Sequence, residues 1–139
     1  MGFAIDLLMH TYGDNTKWRW TFVELEGRFA ATAKNILDLK SAYANTDPSS
    51  PYYDSTLYHL RLVKKLLNQS ADRYREKYEL STGQMSDFKT GISFLGALRR
   101  LHIILAESEE SESTKKKLTI WKQKLEADMK KQEEMKKKA

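Results

Sequence analysis

Apolar residues recur along the chain at spacings of three and four between short polar breaks, the signature of amphipathic helices packed side by side. The most apolar stretch, Phe88–Leu105, carries Phe88, Ile92, Leu95, Ala97 or Leu98, Leu101 and Leu105 on one stripe. Phe94, Ile103 and Ile104 widen it beyond one face, so this helix is expected at the centre of the fold. Gly91 and Gly96 each cost a helix about 1 kcal/mol relative to Ala, which points to close approach of a neighbouring backbone at both. Upstream, Phe22, Leu25, Phe29, Ala33, Ile36 and Tyr43 predict a helix from Thr16 or Lys17 to about Tyr43. Tyr53, Leu57, Leu60, Leu67, Ala71, Tyr74 and Tyr78 predict a second long helix ending near Leu80. The break between them, 45–51, holds both prolines and ends in Ser50 and Pro51, a cap and first-turn pair with Asp54 close behind.

Shorter elements fill the rest. Phe3–His10 reads as a short helix with Phe3 and Leu7, joined by Ile5 and Leu8 as alternatives, on the side that packs on the body as a lid, followed by a turn at 12–15. Ser81, Thr82, Gly83 and Gln84 have the form of a capping box opening the central helix. Residues 107–114 read as an acidic loop, after which Leu118, Trp121, Leu125 and Met129 make the narrow stripe of a last helix. Beyond Met129 the chain is nearly all Lys, Glu and Gln. The expected fold is all-α, an antiparallel helical bundle of three long helices plus a partly docked, basic C-terminal helix. Its body spans residues 1–112, and its tail, 113–139, docks to about residue 129 and then projects as a charged arm.

Composition sharpens this picture. At 139 residues with 6 Gly and 2 Pro, the chain has room for one helical core. It contains no Cys, which removes disulfides, thiolate metal sites and cysteine nucleophiles. The N-terminal apolar run has no basic residue before it and is interrupted by Asp6, unlike a signal peptide, and no run is long enough to span a membrane. A soluble, cytoplasmic protein is expected. Residues 111–139 hold 10 of the 24 Lys and Arg but only 5 of the 19 acids, leaving 14 of each sign in residues 1–110, so the net charge of +5 resides in the tail.

The candidate chemistry is sparse. His10, His59 and His102 lie on three different segments without metal-ligand spacing, and the scattered glycines form no phosphate loop. His102, on the most apolar helix, reads as a hydrogen-bonded structural residue, and His10 and His59 as surface residues. No catalytic residue, metal site or cofactor is expected. Lys17, Trp18, Arg19 and Trp20 interleave bases with aromatics, a pattern suited to a partner hot spot or to base stacking, and equally to stapling the start of a helix. Trp18, Trp20, Leu118, Trp121 and Leu125 are the candidate protein-partner residues.

Lys17, Arg19, Arg61, Lys65, Arg75, Arg99, Arg100, Lys115, Lys116, Lys117, Lys122 and Lys124 are the candidates for nucleic acid. The tail has lysine without arginine and so offers point charge rather than bidentate base reading. Its interspersed acids also allow ion pairs along a solvated helix or coiled-coil arm. The leading functional expectation is a non-catalytic interaction or assembly module, able to self-associate. The alternative is a nucleic-acid-binding accessory protein of weak sequence specificity.

Overall fold

A computed structural model describes residues 2–12, 16–36 and 47–139, and among these the regular structure is entirely helical. Five α-helices follow one another: α1 (Gly2–Tyr12), α2 (Thr16–Ile36), α3 (Tyr53–Lys77), α4 (Met85–Ile104) and α5 (Ser108–Lys138). One π-helical turn, Tyr78–Thr82, continues α3. The all-α expectation holds. The chain divides into two compact units, Met1–Ser70 and Ala71–Ala139, with the boundary inside α3.

In the N-terminal unit the core is Ile5 of α1, Phe22, Val23, Ala30 and Ala33 of α2, and Leu60, Val63, Leu66 and Leu67 of α3. The α2 stripe is rotated from the sequence expectation. Val23, Glu26 and Ala30 are buried beside the expected Phe22 and Ala33, while Leu25 is exposed. Of the residues read as the inner side of α1, Ile5 is 4% exposed and seated, whereas Phe3 and Leu7 are 82% and 55% exposed, which corrects their placement. Gly2 explains the seating of α1, since a Cβ there would meet Phe29 Cε1 at 2.9 Å. His59, expected at the surface, is half-buried with Nε2 3.2 Å from the Ala33 carbonyl, joining α3 to α2, while His10 is exposed. The expected helix residues 37–43 and the turn residues 13–15 lie outside the described residues.

The entry into α3 is two residues later than the Ser50–Pro51 pattern suggests. Asp47 Oδ1 accepts from the Ser49 amide (2.9 Å), its carbonyl accepts from the Ser50 amide (2.9 Å), and Ser50 Oγ accepts from the Tyr52 amide (3.3 Å). These bonds build a turn ahead of the helix, and the Ser49 bonds hold the Asp47 carboxyl below its usual range.

In the C-terminal unit α4 buries Phe88, Gly91, Leu95, Leu98, Leu101 and His102. Phe94 stacks on Tyr74 with centroids 5.8 Å apart, but Ile103 and Ile104 are exposed, so the widened stripe closes before the helix ends. No capping box opens α4. Its N-cap is Gln84, which makes no side-chain cap bond, and Gly83 instead ends the π turn at φ 59° with its N–H donating to the Tyr78 carbonyl (3.0 Å). Residues expected as an acidic loop are already helical from Ser108. The reversal needs only Leu105, Ala106 and Glu107, closed by bonds from the Glu107 amide to His102 O (2.9 Å) and from the Ala106 amide to Ile103 O (3.1 Å). That pair is a Schellman closure with Ala106 at φ 57° in the place glycine usually holds. Glu109 and Glu110 in the first turn of α5 and Lys136–Lys138 in its last complement the helix dipole.

The two α4 glycines differ. A Cβ on Gly91 would meet the Ala71 carbonyl oxygen at 3.0 Å and Trp121 Cζ3 at 3.4 Å, the close approach expected there. At Gly96 the nearest atom is Arg100 Nη1 at 3.8 Å, so no backbone approaches. Gly91→Ala is therefore expected to lower the melting temperature, its overpacking cost of about 1–3 kcal/mol outweighing the helix gain. Gly96→Ala should raise stability by up to about 1 kcal/mol. Ala106→Gly should raise it by a similar amount or less, because L residues pay about 1–2 kcal/mol in the left-handed region. Thermal and urea unfolding of the three variants checks all three signs.

Candidate functional site

The side chains with the most partners in the C-terminal unit gather around Trp121. The stripe Leu118, Trp121, Leu125 turns one face of α5 toward α3 and α4, and Trp121 is 2% exposed. Its ring lies 5.8 Å from that of Phe88, tilted by 47°, and Phe88 in turn stacks on Tyr78 at 4.9 Å and 13°. Aromatic pairs in these ranges contribute about 0.5–1.5 kcal/mol beyond their burial. Arg75 Cζ and Lys117 Nζ stand 5.0 and 5.1 Å from the Trp121 ring centroid, within cation–π range.

Ion pairs frame this aromatic core. Lys117 Nζ donates to Asp72 Oδ1 (2.7 Å), fastening α5 to α3, and Arg75 Nε donates to Glu79 Oε1 (3.1 Å). Lys77 Nζ lies 3.5 Å from Asp87 Oδ1 with both side chains largely buried, joining the end of α3 to the start of α4. Tyr78 Oη donates to Asp128 Oδ2 at 2.6 Å, and Lys124 Nζ lies 3.3 Å from the same oxygen. Burial, followed by the bond and charge of Asp128, pushes the Tyr78 phenol up to about 12. The Tyr78 bond and Lys124 hold the Asp128 carboxyl below its ordinary value despite partial desolvation.

This frame uses several of the residues expected to meet a partner. Leu118 and Trp121 belong to the core and form no exposed surface, a correction whose cause is that the stripe docks on α3 and α4. Leu125 is half-buried. Trp20 is half-buried with the Arg19 guanidinium 4.7 Å from its ring centroid. The side chains of Lys17 and Trp18 lie outside the described residues. Of the candidate phosphate-binding residues, Arg75, Lys117 and Lys124 are engaged in the frame. Arg99 is half-buried with its Nε enclosed and without an acceptor. Arg61 and Lys65 are exposed in the N-terminal unit, and Arg100, Lys115, Lys116 and Lys122 in the C-terminal unit.

His102 is buried as expected, its Nδ1 3.1 Å from Glu107 Oε1 across the α4–α5 reversal. The pair borders a cavity of about 210 Å³ lined also by Ile103, Ala106, Ser111 and Glu112. That is below the roughly 300–1,000 Å³ of most ligand pockets. Among the described residues no three His, Asp or Glu side chains converge to hold a metal ion. None of the helices described is long and apolar enough to cross a membrane.

What remains accessible is the outer surface of α5. From Met129 to Ala139 every residue is exposed, and this last part of the helix carries Lys130, Lys131, Lys136, Lys137 and Lys138. The arrangement defines a helical protein whose C-terminal unit grips the first half of a long charged helix and presents the second half to solvent. The chain belongs to the TP0443 family, whose family model matches residues 1–129. No curated protein and no solved structure matches it.

The Tyr78–Asp128 bond makes a pH test of the frame. The raised phenol pKa favours the folded state only while the phenol is protonated, so stability should fall as pH rises from about 10 to about 12. For the lowered Asp128 carboxyl the contribution is present above the usual carboxylate pKa and is lost as pH falls through the folded value. Tyrosinate absorbance should show one phenol titrating late, and Asp128→Asn should move it part of the way back toward 10.

Proposed function

We propose that the protein is a non-catalytic helical interaction module and that α5 carries its contact surface. One observation supports this reading above others: α5 continues beyond Asp128, the last residue seen cross-linking it to α3, with exposed side chains on every side. A helix of the same chain that served only the core would have no reason to run on. In isolation so short a segment is marginal in water, and its sequence supports it by spacing Glu126 from Lys130, Glu133 from Lys137 and Glu134 from Lys138 at i to i+4 in the favourable order.

Replacing Lys130, Lys137 and Lys138 by Gln alters the arm and leaves the groups that act on the Trp121 frame in place. Melting temperature should stay close to that of the parent and helicity should fall only slightly, since three exposed pairs of about 0.2–0.5 kcal/mol each are lost, while a partner recovered stoichiometrically by the full chain should be lost. A labelled duplex oligonucleotide titrated across a salt series is the counter-test. Binding that weakens steeply with salt and disappears in the same variant would replace this reading with the nucleic-acid one, since phosphate neutralisation releases counterions.

A further inference from the structure

One exposed face of α5 is its own electrostatic complement when reversed. Beginning at Glu112 and stepping by three and four alternately, the helix presents Glu112, Lys115, Thr119, Lys122, Glu126, Met129, Glu133 and Lys136, all exposed. Alternation of three and four is the seven-residue repeat of a seam between two helices. The face lies to one side of the buried stripe of Thr114, Leu118 and Trp121, so docking within the unit leaves it open. Read from the N-terminal end its charges run negative, positive, neutral, positive, negative, neutral, negative, positive. Read from the other end, every sign is opposite and the two neutral places coincide.

We infer that this face pairs with the same face of a second copy, with the two α5 helices antiparallel about a two-fold axis near residue 124. This rests on the reading of α5 as a contact surface and names the occupant. The alignment sets Glu112 against Lys136, Lys115 against Glu133, and Lys122 against Glu126, with Thr119 against Met129, and each pairing occurs twice because the interface is isologous. A parallel pair in register would oppose like charges at all six charged places, so the pattern selects direction as well as partner. Within one chain the two outer pairings are out of reach, whereas Lys122 and Glu126 are also neighbours four residues apart on their own helix. Glu112 and Lys136 are separated by about 36 Å along a helix rising about 1.5 Å per residue, and in its own chain Glu112 has an exposed pairing with Lys115 at 3.9 Å. With Thr119 and Met129 as the seam's least polar members, attraction is mainly between exposed charges. The dimer is therefore weak, and salt weakens it further.

The test is sedimentation equilibrium of the full chain over a range of protein and salt concentrations, with charge-reversal variants. The parent should approach the mass of two chains at high protein concentration and low salt. Lys115→Glu alone and Glu133→Lys alone, 18 residues apart and out of reach of each other in one chain, each set like charges together twice around the axis and should weaken the dimer by roughly tenfold. The double variant should recover it, a rescue that simple damage to α5 does not produce. Direction is read separately, because the chain has no cysteine and introduced ones report cleanly. Lys115→Cys should cross-link to Glu133→Cys in a mixture of the two variants, with neither cross-linking efficiently to itself. A parent that stays monomeric at every concentration, a dimer indifferent to the reversals, or self-cross-linking of each single variant overturns the inference. A monomer whose α5 still recovers a different protein would leave the interaction-module reading standing, and a monomer that recovers none would remove both.

Discussion

The C-terminal unit depends on the contact between Trp121 and Phe88. An indole from α5 and a phenyl from α4 can meet at 5.8 Å because Gly91 lets α4 settle against the α3 backbone, its missing Cβ leaving room for the Ala71 carbonyl and the edge of the indole. Interiors pack at crystal-like density, so a methyl group at this point is felt by three helices at once. The cations over the indole and the ion pairs beyond them follow from that geometry. Arg75 and Lys117 cover the ring, Asp72 holds Lys117, and Tyr78, already stacked on Phe88, is placed to donate to Asp128. A large aromatic contact ringed by partly exposed charges keeps the polar groups paired near water, where burying them costs little.

Much of this was legible in the residues. The helical class, the central role of the 88–101 stripe, the seating of α5 through Leu118 and Trp121, and the buried, bonded His102 all follow from spacing and composition. Spacing alone is ambiguous where a helix has apolar residues on more than one side. Thus α1 seats Ile5 and exposes Phe3 and Leu7, and α2 turns Glu26 inward and Leu25 outward. For α1 the close approach of Gly2 to the Phe29 ring fixes the seating, a property of the pair of helices that neither sequence segment carries by itself. The same ambiguity separates Gly91 from Gly96, which look alike in the chain and differ only in what stands opposite. The acidic stretch after α4 resembled a loop because its residues are polar, yet acids suit a helix N-terminus, and the reversal was compressed into three residues by an alanine in the left-handed region.

The candidate site was half visible. Tryptophan and leucine at 118, 121 and 125 suggested a partner surface because exposed aromatics often mark one. The alternative, that the same residues seat the helix on its own unit, is what the structure contains for Leu118 and Trp121. Arg75, Lys117 and Lys124 counted as free positive charge in the sequence and are engaged with neighbours in the fold. Subtracting the docked stripe and the engaged cations leaves an outer face whose order of charges, rather than its net charge, carries information. Net charge identifies a basic tail, whereas the order along one face specifies a direction.

A rigid helix held along its first half and at Asp128 also amplifies small movements. From Asp128 to Lys138 the helix extends about 15 Å at about 1.5 Å per residue. A tilt of about 10° of the held part, within the scatter common to packed helices, sweeps the far tip through about 3 Å more. Subtle repacking around the Phe88 ring is thereby magnified at the tip, so the aromatic frame sets where the distant lysines point.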